Sequence, residues 1–219
     1  MKILLLSFEY PQETGFGGIG TYTWYHARAL VKLGHDVHVL AGAAAPTAMR
    51  DEHHDGVVVH RYQAADVVMQ QVQRLAARQL WWTKSRLGNA WSFLQGFDRL
   101  MERSAFDLVE APDCGGEGAL VASLRAVPTV IRFHSPARLI MRYYDVRPED
   151  IDLTALIERV GIEAAIGHTS CSRHAVAQLR AEMGFERPIE VIANGIDLSL
   201  FDADESVDVR EKYGIPLHV

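Results

Sequence analysis

Four glycines fall within six positions of GFGGIGTYTW, residues 15–24, just ahead of a segment with helical periodicity. Glycine lets backbone N–H groups approach a ligand closely, and the first N–H groups of a helix have no internal acceptor, so the combination suits an anion, above all a phosphate. Gly15, Gly17 and Gly20 also spell G-x-G-x-x-G, the dinucleotide fingerprint. That fingerprint needs its first glycine directly after a strand and an acid at the end of the next strand. Here FEYPQET separates Ser7 from Gly15, and VLAGAAAP carries no acid, which argues against a nicotinamide cofactor. A plain strand-to-helix turn needs fewer glycines, so Gly17 and Gly18 are expected to face phosphate.

Other chemistry-bearing residues sit at strand ends. His134 closes a predicted strand in RFHSP, with Arg132 two residues earlier on the same strand face. In EAPDCGGEG, Glu110, Asp113 and Glu117 are able to accept hydrogen bonds from ligand hydroxyls, while Asp113 equally suits a helix cap with Gly115 and Gly116 as the turn. His168, Cys171 and His174 stand three apart, but a strand running into a helix does not hold all three on one face, so no metal centre is expected. Cys114 and Cys171 form no CxxC and are expected to be reduced thiols.

The elements that must position these groups alternate in type. KILLLS (2–7), DVHVLAG (36–42), GVVVHRY (56–62), FDLVEA (106–111), PTVIRFHS (128–135), GHTSCS (167–172) and IEVIANGID (189–197) read as strands. Helices are expected over about 21–33, 66–104 as one or two pieces with breaks at Gly88 and Gly96, 117–126, 153–166 and 173–184, with a linker at 137–150. Such alternation predicts an α/β domain, a Rossmann-like parallel sheet flanked by helices, which collects ligands beyond the carboxyl ends of its strands.

Composition narrows the class. The 219 residues are 48% hydrophobic and 23% charged, enough to bury the core of one sizeable domain. A net charge of −6 argues against a nucleic-acid partner. The opening apolar run is too short for a signal peptide and no stretch is long enough to span a membrane, so a cytoplasmic protein is expected.

The segment KILLLSFEYPQETGFGGIGTYTWYHARALVKLGHDVHVLAG resembles the start of retaining glycosyltransferases of family 4, which have the GT-B fold, and EVIANGIDLSLF resembles the V-I-P-N-G-V-D segment that closes their N-terminal domain, with Ala193 in place of proline. The resemblance implies an N-terminal, acceptor-side domain over 1–200, with 201–219 a linker and the start of a C-terminal domain that holds the nucleotide-sugar donor. It implies donor phosphates near Gly17 and Gly18, catalytic contact from His134 to the transferred sugar, and substrate contacts from Arg132, Glu110, Asp113 and Asn194. No cofactor or metal is implied for this domain, the acceptor is a sugar or glycolipid, and the 219 residues alone are expected to fold but not turn over. A stand-alone sugar- or nucleotide-binding module is the alternative.

Trp81, Trp82 and Trp91 lie among Arg74, Arg78, Lys84, Arg86 and Arg99. That mix suits either peripheral contact with the inner membrane face or a glycolipid, or an amphipathic helix packing its tryptophans inward.

Overall fold

KILLLS buries five of its six residues, as a strand covered on both faces must. In chain order the elements of the computed structural model are β1 (Lys2–Ser7), α1 (Gly18–Lys32), β2 (Asp36–Ala41), β3 (Thr47–His54), β4 (Val57–Gln63), α2 (Val67–Leu75), α3 (Trp81–Met101), β5 (Leu108–Pro112), α4 (Ala119–Leu124), β6 (Thr129–Phe133), α5 (Ala137–Ile140), α6 (Pro148–Ala164), β7 (Gly167–Ser170), α7 (Arg173–Met183), β8 (Glu190–Val191) and α8 (Val209–Tyr213). The structure describes residues 1–15, 17–75, 79–198 and 209–216. One sheet runs in the order β3-β4-β2-β1-β5-β6-β7-β8. Every pairing is parallel except β3 with β4, so the expected α/β class holds with one antiparallel edge.

Alternation along β1 splits the core between the two faces of the sheet. Leu4 and Leu6 join Phe93, Phe97 and Ile131 on one side, while Ile3 and Leu5 join Val37, Val39 and Ala27 of α1 on the other. The expected helix over 66–104 is two helices, and neither Gly88 nor Gly96 breaks α3. A Cβ on Gly96 would come within 3.0–3.1 Å of Leu40 and Tyr62, so this glycine brings α3 close to the sheet.

Three further expectations are corrected. The linker at 137–150 contains α5 and a 3-10 turn at Met141–Tyr143, with Ala137 and Met141 buried, and α6 begins at Pro148 rather than 153. Proline suits the first helical position because its missing N–H has no partner there. The final strand covers only Glu190–Val191 of 189–197 and stands last in the strand order of the described sheet. Strand β3 was not expected at all.

Helix ends are held by specific groups. Ser172 accepts the Ala175 N–H at 3.1 Å as N-cap of α7, and Gly184 ends that helix in the left-handed region at φ 62°. α3 is capped from another helix: Asp150 of α6 accepts the N–H groups of Trp82 and Thr83 at 2.9 and 2.7 Å and the Thr83 hydroxyl at 2.6 Å.

Candidate active site

The loop between β1 and α1 is tied down by its own side chains. Thr14 Oγ1 donates to the Phe8 carbonyl at 2.6 Å and accepts the Tyr10 N–H at 3.0 Å, and Ser7 Oγ donates to the Glu9 carbonyl at 2.7 Å. Gly17 is the extended N-cap of α1, and the first intrahelical bond runs from the Thr21 N–H to the Gly17 carbonyl at 2.9 Å. The N–H groups of Gly18, Ile19 and Gly20 therefore have no acceptor inside the helix. A Cβ on Gly20 would lie 2.8 Å from the Glu9 carbonyl oxygen and one on Gly17 would overlap the Glu9 carboxylate, whereas one on Gly18 would meet nothing within 4 Å. Gly20 serves close packing, and Gly18 faces open space.

One helical turn further along α1, Tyr22 gathers the residues from neighbouring strand ends. Its hydroxyl donates to Glu110 Oε1 of β5 at 3.0 Å, and the His26 ring, stacked on Tyr22 at 4.9 Å, brings Nε2 within 3.5 Å of the same oxygen. Arg132 of β6 holds its guanidinium 4.4 Å above the Tyr22 ring, and the His134 ring meets Tyr22 edge-on at 4.9 Å. Four residues of helix rise about 6 Å, so Gly18 and His134 lie on one short stretch of the sheet's carboxyl edge.

Electrostatics sets the protonation states here. Burial alone would raise the Glu110 pKa, but His26, Tyr22 and Arg132 together pull it below the ordinary carboxylate range, and Glu110 is an anion. Burial, reinforced by Arg132, lowers His134 to about 4, so its imidazole is neutral at pH 7. The ring makes no hydrogen bond to another described residue, which leaves its nitrogens for a ligand hydroxyl.

Beside this cluster lies a second, wholly buried one. Asp113 Oδ1 accepts the His134 N–H at 2.7 Å, Glu117 Oε2 accepts the Phe8 N–H at 2.8 Å, and Glu158 Oε1 accepts the Gly115 N–H at 2.8 Å while its Oε2 accepts the Ala137 N–H at 2.9 Å. Burial raises Asp113 and Glu117 to about 7, and burial plus Asp113 raises Glu158 to about 8. These acids hold the loops that carry the site.

The sequence-derived candidates thus separate by position. Gly17, Gly18, His134, Arg132 and Glu110 come together around Tyr22. Arg132 is only 2% exposed and spends its guanidinium on the Ile192 carbonyl at 2.8 Å and on Asn194 Oδ1 at 2.7 Å, which places Asn194 beside it. Asp113 is buried beneath His134 and makes no side-chain cap bond. Tyr22 and His26 were not singled out, although an aromatic pair at i, i+4 immediately after the glycines was a usable signal. His168 gives a ring nitrogen to the Ile162 carbonyl at 2.8 Å and packs on Phe133 and Phe185, while His174 is exposed on α7.

The tryptophans do not share one surface. Trp82 packs against Ala137, Met141 and Ala155, Trp91 packs against the main core, and Trp81 is 59% exposed. Arg78 lies outside the described residues. Among the described residues no helix is long and apolar enough to cross a membrane.

A mostly parallel sheet with helices on both faces and polar groups gathered at its carboxyl edge defines a Rossmann-like ligand-binding domain. The chain belongs to glycosyltransferase family 4, whose family model matches residues 16–200. Its fold is similar to sucrose-phosphate synthase from Thermosynechococcus elongatus, with TM-score 0.67 and 16% identity over 99% of this chain and 53% of that one. It is also similar to the catalytic domain of starch synthase IV from Arabidopsis thaliana bound to ADP and acarbose, with TM-score 0.57 and 13% identity over 90% of this chain and 52% of that one. A third similar structure is Phytolacca americana UGT2 complexed with UDP-2-fluoro-glucose and pterostilbene, with TM-score 0.58 and 13% identity over 90% and 55% of the two chains. The chain spans about half the length of these three structures. No curated protein sequence matches it. The expected fold, the N-terminal half of a GT-B glycosyltransferase, is the one observed.

Proposed function

We propose that the chain is the acceptor-side domain of a retaining glycosyltransferase that uses a nucleotide-sugar donor. The observation that carries this reading is the meeting of the α1 N-terminus, open at Gly18 beside Gly17, with the neutral His134 ring through Tyr22. In this reading the N–H groups at Gly18 help hold the departing diphosphate, and His134 hydrogen-bonds a hydroxyl of the transferred sugar. Arg132, Glu110 and Asn194 form the frame that sets the height of Tyr22 and His134, and Asp113 fixes the His134 backbone. The UDP sugar and ADP in the similar structures support a nucleotide-sugar donor here.

The boundary proposed is 1–200 for this domain, with a second domain supplying the other wall of the cleft and most of the positive charge for the leaving group. Nucleotide sugars offered to the protein with and without that second domain test the reading, with released diphosphate and the anomeric configuration of the product as readouts. Release with retained configuration only when both domains are present is the expected result. Turnover by the 219 residues alone, or inverted product, contradicts it.

A further inference from the structure

At the carboxyl end of β4, well away from Tyr22, residues of β4, α2 and α3 line a cavity of about 200 Å³. α3 turns Ser85, Gly88, Asn89 and Ser92 toward it at i, i+3, i+4 and i+7, whereas the following turns of the same helix bury Phe93, Leu94, Phe97 and Leu100. Asn89 is only 8% exposed, yet its amide has no hydrogen-bond partner among the described residues. Two further lining residues repeat the pattern, since Gln63 Oε1 and Trp91 Nε1 are buried without partners. Buried polar groups are normally paired, so an unpaired Asn89 amide facing a polar cavity points to a ligand that pairs it.

The chemistry of the lining selects the ligand. Asp66 is the single charged residue among the described lining residues, and that carboxylate already accepts the Met69 N–H and the Gln95 amide at 3.0 Å each. With no cation among the described lining residues, an anion is disfavoured. Hydroxyl groups both donate and accept, which suits the Asn89 amide and the Ser85 hydroxyl together. The volume is below the roughly 300–1,000 Å³ of pockets for drug-sized ligands, room for a single ring.

We propose that this cavity binds one uncharged sugar ring of the acceptor. The proposal rests on the transferase reading above. From β4 to β6 the sheet passes through β2, β1 and β5, which is four steps of about 4.8 Å, or roughly 19 Å along the edge that ends at His134. The bound ring is therefore not the one that reacts, and the acceptor is an extended glycan or glycoconjugate. Exposed Pro46 and Gln70 stand at the cavity's outer side.

Indole N–H resonances of the ¹⁵N-labelled protein test it, with Trp91→Phe assigning the Trp91 signal. Glucose, mannose, galactose and sucrose are titrated to about 50 mM, with inorganic phosphate as the anionic control. A saturable shift of the Trp91 signal by at least one sugar, no shift by phosphate, and at least tenfold weaker binding in both Ser85→Leu and Asn89→Leu, with the other indole signals in place, are expected. No sugar response, a phosphate response, or undiminished binding in both folded variants overturns the proposal. Diphosphate release by the two-domain enzyme, measured separately, distinguishes failure of the pocket from failure of the transferase reading.

Discussion

The Arg132 guanidinium rests 4.4 Å above the Tyr22 ring while its Nη2 binds the Ile192 carbonyl and Asn194 Oδ1. One buried cation thereby joins α1, β6 and the segment after β8. Its position also explains two titrations, because the same charge helps hold Glu110 ionised and His134 neutral.

Tyr22→Phe keeps the ring beneath Arg132 and removes one donor to Glu110, so it should cost about 1–2 kcal/mol in denaturant unfolding. Arg132→Ala should cost about 3 kcal/mol or more, since it strands the buried Glu110 charge and the Ile192 carbonyl. Equal losses for the two variants would contradict this division.

The glycines should separate in the same way. Gly20→Ala forces a methyl group to 2.8 Å from the Glu9 carbonyl oxygen and should destabilise the fold by about 1–3 kcal/mol. Gly18→Ala projects into open space and should leave stability within about 0.5 kcal/mol, while Gly18→Val in the two-domain enzyme should slow turnover by blocking approach to the N–H groups. Thermal unfolding and diphosphate release read the two effects independently.

Stability should depend on pH through the buried acids. Asp113 and Glu117 at about 7 and Glu158 at about 8 bind protons more tightly in the folded than in the unfolded state, so their contribution is present at low pH and is lost as pH rises toward 8. His134 has the opposite sign: with its pKa lowered from 6.5 to about 4, its contribution is full above 6.5 and is lost as pH falls toward 4. Between pH 6.5 and about 8 the acids act alone, and the midpoint of thermal unfolding should fall as pH rises. Glu158→Gln keeps an oxygen for the Gly115 and Ala137 N–H groups and should flatten that slope. An unchanged slope would remove Glu158 from the account.

Asp150→Ala should cost about 1–3 kcal/mol, because it uncaps α3 and leaves the half-buried Trp82 and Thr83 N–H groups without their acceptor. Asp150→Asn, which retains one carbonyl oxygen, should lose about half as much.

What the sequence made legible follows from how local each signal is. β1, β2 and α1 were readable because their apolar periodicity lies within a dozen residues. β3 was missed because TAMRDEHH is a polar edge strand, although Asp55-Gly56, with φ of 50° and 82°, is the hairpin turn that announces it. The glycine loop and His134 could be picked out by type and position. The Tyr22–Glu110 bond joins residues 88 apart in sequence and the Arg132–Asn194 bond residues 62 apart, and no local pattern carries such pairings. The polar face of α3 was hidden similarly, since Ser85, Gly88, Asn89 and Ser92 look like a solvated helix face until β4 and α2 cover them.

Steady-state kinetics of His134→Ala in the two-domain enzyme tests most directly whether this sheet edge faces the transferred sugar. In the proposed reading this neutral ring acts on the developing charge, so kcat should fall by about 10²–10³-fold with the acceptor KM little changed. An unchanged kcat, or a loss confined to the acceptor KM, would contradict the placement of His134 at the reacting sugar.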